Sequence, residues 1–174
     1  APPLRPQSDV DALWEALENR EIDTIGTDHC SFNFHPTKEL GRDDFSAIPG
    51  GIPGTEHRPA LMYTYGVKSG RLTPHQLMLA LAEHPARLFG MFPQKGALAV
   101  GSDADIVIFD PDYTWRIQAD TQYQRVDYTP YEGMEMAGRA DTVLLSGAVA
   151  VEGGRVVREN LGRYVSRGPS GFWR

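Results

Sequence analysis

Val10, Leu13, Trp14 and Leu17 fall at the i, i+3, i+4, i+7 spacing of one helical face. With Ser8 as the N-cap, this predicts a helix from about Asp9 to Arg20. A short apolar strand, Ile22 to Ile25, then leads into Gly26-Thr27-Asp28-His29-Cys30. Helix followed by strand is half of an α/β repeat. From Ser31 to Thr55 no period survives, and Gly and Pro recur, as in Pro49-Gly50-Gly51-Ile52-Pro53-Gly54. A loop this long is either functional or disordered.

Helical spacing returns from Pro59 to Tyr65, with Gly66 as the expected C′ residue. Thr73-Pro74 reads as N-cap and first helical position. Leu77, Met78, Leu79, Leu81 and Ala82 make the next helix apolar nearly all round, which predicts burial. His84-Pro85 is expected to interrupt it before a last helix to about Phe89. The pattern then turns to β. Strands are expected at Ala104–Phe109 and Tyr113–Ile117, with a polar, irregular stretch over 118–140. A meander follows at Val143–Leu145, Ala148–Val151 and Arg155–Val157, turning at Ser146-Gly147 and Gly153-Gly154. The shift near Gly90 divides the chain into an α/β part, residues 1–90, and a mostly β part, residues 91–161. Residues 162–174 form a tail.

Composition narrows the function. The 174 residues carry a formal charge of −6 and no Lys/Arg cluster, which argues against nucleic acid as a partner. No apolar run approaches the roughly 20 residues that cross a bilayer, so no membrane partner is expected. A single cysteine, Cys30, cannot build a disulfide framework, and a cytoplasmic location is expected. A complete (β/α)₈ barrel needs about 250 residues, more than this chain supplies.

Asp28 stands just past the end of an apolar strand, where α/β barrels project catalytic side chains. A carboxylate there binds a metal or acts as a general base; the alternative is a cap or turn aspartate. His29 beside it either hydrogen-bonds the loop or points away. None of the five histidines forms an H-x-H or H-x-x-x-H pair, so a self-contained zinc site lacks ligands. His75 and His84 read as structural. Cys30 reads as a buried structural thiol. The Gly-rich segment lacks the Lys-Ser/Thr of a phosphate loop, yet its glycines can bring backbone close to a ligand. Tyr164, Phe172 and Trp173 in the tail either dock on a partner subunit or lie disordered.

Several motifs together resemble the dihydropyrimidinases and D-hydantoinases. Ala1-Pro2-Pro3-Leu4-Arg5 resembles their x-P-P-L-R segment. Gly26-Thr27-Asp28-His29-Cys30 with Phe32-Asn33-Phe34 resembles G-[ST]-D-H-C-x-F-N-F. Gly41-Arg42-Asp43-Asp44-Phe45 and Ile48-Pro49-Gly50-Gly51 match the G-K-D-D-F…I-P-N-G loop. Lys95-Gly96 with Val100-Gly101-Ser102-Asp103-Ala104-Asp105 resembles a turn shared by many amidohydrolases. Asp127-Tyr128-Thr129-Pro130-Tyr131-Glu132-Gly133 resembles D-Y-x-x-[FY]-E-G. The resemblance runs in order along nearly the whole chain.

The resemblance implies an α/β chain: the C-terminal portion of a (β/α)₈ barrel followed by part of a β-sandwich. It implies a hydrolase that opens the cyclic amide ring of dihydropyrimidines or 5-substituted hydantoins by attack of a metal-bound hydroxide. Asp28 corresponds to a zinc ligand of a binuclear centre that also shuttles the proton. Ala1 and Gly50 match positions that contact substrate through backbone groups, where serine and asparagine are usual. The family's H-x-H pair, carboxylated lysine and further histidines have no match here. Lys38, Lys68 and Lys95 all follow Asp28 in chain order. The chain is therefore expected to be inactive alone, as a C-terminal fragment, truncated frame or split half. It needs the N-terminal part of the same enzyme, and the resemblance implies homo-oligomers. The rival is a non-catalytic scaffold of the collapsin response mediator type; its branch loses the aspartate at this position, which Asp28 retains. A related cyclic amidase, such as allantoinase or dihydroorotase, fits the D-H-C-x-F-N-F stretch less well.

Overall fold

The computed structural model describes residues 3–171. Helix α1 spans Gln7–Glu18 and begins two residues earlier than the sequence predicts. Pro6, not Ser8, is the N-cap; its carbonyl accepts from the Asp9 N–H at 3.0 Å. The segment Ile22–Ile25 forms no ladder among the described residues, so it is not a strand. Its Ile25 N–H donates to the Ala80 carbonyl at 3.4 Å, and its side chains pack on the first core.

Helix α2 covers Arg58–Met62 and runs on as a π-helical stretch, Tyr63–Lys68. Gly66 therefore lies inside the helix rather than ending it. The reason is packing. A Cβ on Gly66 would meet Leu72 at 3.0 Å and the Trp14 ring at 3.4 Å. The left-handed glycine that follows the helix is Gly70, at φ 83°.

Helix α3, Pro74–Met78, starts as expected. Thr73 and Gln76 form a reciprocal capping box. It continues through a π-helical stretch, Leu79–Glu83, into α4, His84–Leu88. Pro85 does not interrupt the run. It occupies the first turn of α4 just after the widened turns, where its missing N–H is tolerated. Nor is this run buried all round. Leu77, Ala80 and Ala86 are buried, but Met78 is 52% exposed, because no described element covers its outer face. The first core joins Leu17, Leu72 and Ala80 with Trp14, Ile22, Ile25 and Met62 around them.

The second half is one antiparallel four-stranded meander in the order β1-β2-β3-β4. Strand β1 runs Ile106–Arg116, so the two expected strands form one, broken in register between Asp110 and Thr114. Strand β2, Glu135–Leu145, pairs with it on both sides of that break and claims residues expected to be irregular. Strands β3, Ala148–Glu152, and β4, Arg155–Val156, complete the sheet. Ser146-Gly147 and Gly153-Gly154 make the expected turns with positive φ at both central positions. The second core, Ala60, Ile117 and Met136, sits between α2 and β2. Thr64 stitches them together: its hydroxyl donates to the Ala60 carbonyl and accepts from the Ala137 N–H at 3.0 Å.

Candidate functional site

Asp28 follows the Ile22–Ile25 segment at φ 46°, a left-handed backbone that a non-glycine residue rarely adopts. Such conformations persist where the surroundings impose them, and they cluster at functional sites. The Asp28 carboxylate is exposed and has no partner among the described residues.

The segment that carries it is zipped to the Gly-rich loop. The Cys30 N–H donates to the Ile52 carbonyl at 3.3 Å. His29 Nδ1 accepts from the N–H groups of Gly54 and Thr55 at 3.1 and 3.2 Å. His29 therefore hydrogen-bonds the loop, which settles the alternative left open by the sequence. Two amide donors on Nδ1 leave its ring proton on Nε2. Thr27 and Thr55 hydroxyls meet at 3.4 Å. Cys30 is not the buried thiol expected; it is exposed, because the chain at this point runs over the surface against Gly51.

Gly50 lies exposed on the loop, with open space where a Cβ would stand. Among the described residues, its own N–H and C=O have no hydrogen-bond partner. Gly51 next to it has φ 107°. Ala1, the other expected substrate contact, lies outside the described residues, as do Phe172 and Trp173 of the tail.

Three residues in this region had no role in the sequence reading. Lys38 Nζ donates to the carbonyls of Pro49 and Gly51 at 2.5 and 2.6 Å. Asp127 accepts from the N–H groups of Phe34 and His35 at 2.5 and 2.9 Å. The His35 bond, followed by that of Phe34, holds its carboxyl below the usual carboxylate range. His57 is 1% exposed, against the rings of Trp115 and Tyr131. Its Nε2 lies 3.3 Å from both Gln122 Oε1 and Gln124 Nε2, while its Nδ1 has no partner among the described residues. The only available signal was the D-Y-T-P-Y motif, which contains Asp127 but does not reveal its partners. His84 has the structural role expected: its Nδ1 lies 2.9 Å from the Asp23 carbonyl.

Among the described residues, no group of three or more His, Cys, Asp and Glu is arranged to hold a metal ion. Asp28 offers one unpartnered oxygen donor, which suits a divalent cation, but one donor is not a site.

The Amidohydrolase family profile matches residues 2–150. The chain belongs to the amidohydrolase family. It is 44% identical over 172 residues to a D-hydantoinase from Geobacillus stearothermophilus, covering 98% of this chain and 36% of that protein. A D-hydantoinase from Ralstonia pickettii is 46% identical, with 95% and 36% covered. Among solved structures, a dihydropyrimidinase from Brevibacillus agri superposes with a TM-score of 0.94 at 46% identity, covering 100% of this chain and 38% of that one. An L-hydantoinase (dihydropyrimidinase) from Arthrobacter aurescens superposes at 0.84 and 40% identity, covering 91% and 35%. The chain thus spans little more than a third of these amidohydrolases, and its mixed helix-and-strand fold is that of the matching part of their structures.

Proposed function

We propose that this chain is the part of a cyclic-amide hydrolase, of the hydantoinase or dihydropyrimidinase kind, that supplies one metal-binding carboxylate and the substrate-facing loop. One observation carries the reading. Asp28 presents an exposed carboxylate, unpartnered among the described residues, on a left-handed backbone, and the same segment is bonded to the loop that holds Gly50.

The remaining ligands come from the N-terminal part of the same enzyme. Two features support such a partner. The Ile22–Ile25 segment has no ladder among the described residues, and apolar side chains of α1 and α3 stand exposed. Zinc, when bound, polarises the ring carbonyl and lowers the pKa of water at the site. An Asp28 carboxylate oxygen takes the proton of the attacking water as the new C–O bond forms. It returns that proton to the ring nitrogen as the C–N bond breaks. Gly50 offers its N–H and C=O to the imide of the ring, and Ala1 is assigned the matching backbone contact. The assembled enzyme is read as a cytoplasmic homo-oligomer.

The test is ring opening of dihydrouracil or a 5-substituted hydantoin by this chain assembled with the N-terminal part and zinc. Asp28→Asn is expected to lower kcat by about 10²–10⁴-fold, the worth of a positioned acid–base group. The chain alone is expected to be inactive. An assembled, zinc-loaded protein that opens no ring overturns the proposal and favours a scaffold; an Asp28→Asn variant with full activity overturns the role given to Asp28.

A further inference from the structure

We propose that Lys38 is a positioning residue that holds the Gly50 peptide open toward substrate; this rests on the hydrolase reading above. The carbonyls on either side of Gly50, those of Pro49 and Gly51, both turn to the Lys38 ammonium, at 2.5 and 2.6 Å. The Gly50 N–H and C=O between them are left unbonded among the described residues.

Lys38 has no carboxylate partner among the described residues. Its charge serves the two carbonyls and the face of the Phe32 ring, whose centroid is 5.3 Å away. Charge-assisted bonds of this kind are stronger than neutral ones. They matter most here because Gly50-Gly51 is the stretch of loop with the most conformational freedom to lose.

The lysine is itself held. Its N–H donates to the Phe34 carbonyl at 3.0 Å at the start of a 3₁₀ turn, Lys38–Gly41. Asp127 fixes the N–H groups of Phe34 and His35 from the other half of the chain. A line of hydrogen bonds therefore runs from Asp127, through residues 34–38, to the two carbonyls that bracket Gly50.

The test uses Lys38→Met, Lys38→Gln and Lys38→Arg in the assembled, zinc-loaded enzyme, with two readouts. The first is steady-state ring opening. Lys38→Met is expected to raise KM about tenfold with kcat changed less than about threefold, because ground-state positioning is lost while Asp28 is untouched. Lys38→Arg, which keeps the charge and two donors, is expected to restore most of KM. The second is amide hydrogen exchange. In Lys38→Met the Cys30, Gly54 and Thr55 amides, bonded across to the loop or from it, should exchange about tenfold faster, with α2 and β2 unchanged. Lys38→Gln, with one donor group on a shorter stem, should fall between and serves if Lys38→Met unfolds. Unchanged KM and unchanged exchange in Met and Gln variants overturn the proposal. So does a fall in kcat at constant KM, which would place Lys38 in the chemical step. If the wild-type assembly opens no ring, the hydrolase reading fails, and the exchange result still decides whether Lys38 holds the loop.

Discussion

Gly51 shows how little room a single residue has beside Asp28. At φ 107° it adopts a backbone that side chains rarely tolerate, and an added Cβ would lie 2.5 Å from the Cys30 carbonyl oxygen and 2.6 Å from Cys30 Cβ. Neither is the flexible end of a side chain, so relief requires the two segments to separate. Gly51→Ala is expected to cost about 1–3 kcal/mol, read as a lower urea midpoint of the assembled protein. An unchanged midpoint would mean that the loop is not packed against Cys30. At this scale the chain was partly legible. Asp28 and Gly50 stand out in the linear sequence because they lie in recognisable motifs. Lys38 lies in none of them, and the motif that Asp127 opens does not reveal its role, because the partners of both are backbone groups 11 to 93 positions away.

Among elements, the sequence pattern failed where side-chain pairing replaced alternation. Strand β2 reads Glu-Met-Ala-Gly-Arg-Ala-Asp-Thr before its apolar end, which gives no clean period. It is held instead by cross-strand contacts. Arg139 stacks 3.7 Å from the Tyr113 ring centroid, and the Trp115 indole N–H donates to the Gly138 carbonyl at 3.0 Å. Arg116 pairs with Glu135. Gly138, at φ 75°, makes room for the Phe109 ring. The helices failed differently: π-helical stretches let α2 pass Gly66 and α3 pass Pro85, and residue-by-residue stop signals do not register a widened turn. The energetic join between helix and sheet is Ile117, 0% exposed against Met136 and Ala60. Ile117→Ala is expected to cost about 2–5 kcal/mol by transfer and cavity terms, seen in denaturant melts. A loss below 1 kcal/mol would show that this cluster collapses around the gap.

At the scale of the whole molecule, one charged junction ties the start and the β2–β3 turn of the sheet to the tail. Lys95 pairs with Asp105 and, at 2.9 Å, with Asp103; Arg163 of the tail reaches Asp103 at 2.6 Å. Asp105 also accepts from the Ser146 N–H at the β2–β3 turn. The tail is bonded further to its own chain, from Gly168 N–H to the Gly90 carbonyl at 2.8 Å. The Asp105 hydrogen bond raises the Lys95 pKa, and the Lys95 hydrogen bond lowers that of Asp103. The signs fix the pH dependence. The Lys95 contribution is complete below the ordinary lysine value and is lost as pH rises through its raised value. The Asp103 contribution is complete above the ordinary carboxylate value and is lost as pH falls through its lowered value. Melting temperature should therefore be flat through neutrality and fall at both extremes. Lys95→Met should lower it by roughly a few degrees at neutral pH and flatten the acid decline. An acid limb identical to wild type would count against the junction.

The sequence by itself determined the local features whose cause is local. The Thr73 cap, the two glycine turns of the meander, the apolar face of α1 and the family motifs around Asp28 each depend on a few neighbouring residues. Tertiary structure alone decided the rest: that Ile22–Ile25 joins no ladder among the described residues, that Cys30 is exposed, that β2 begins at Glu135, and that Lys38 and Asp127 fasten the loop beside Asp28. These outcomes depend on which distant groups are present to accept a hydrogen bond or cover a face. Such groups are set by packing across the fold, and no window of adjacent residues contains them.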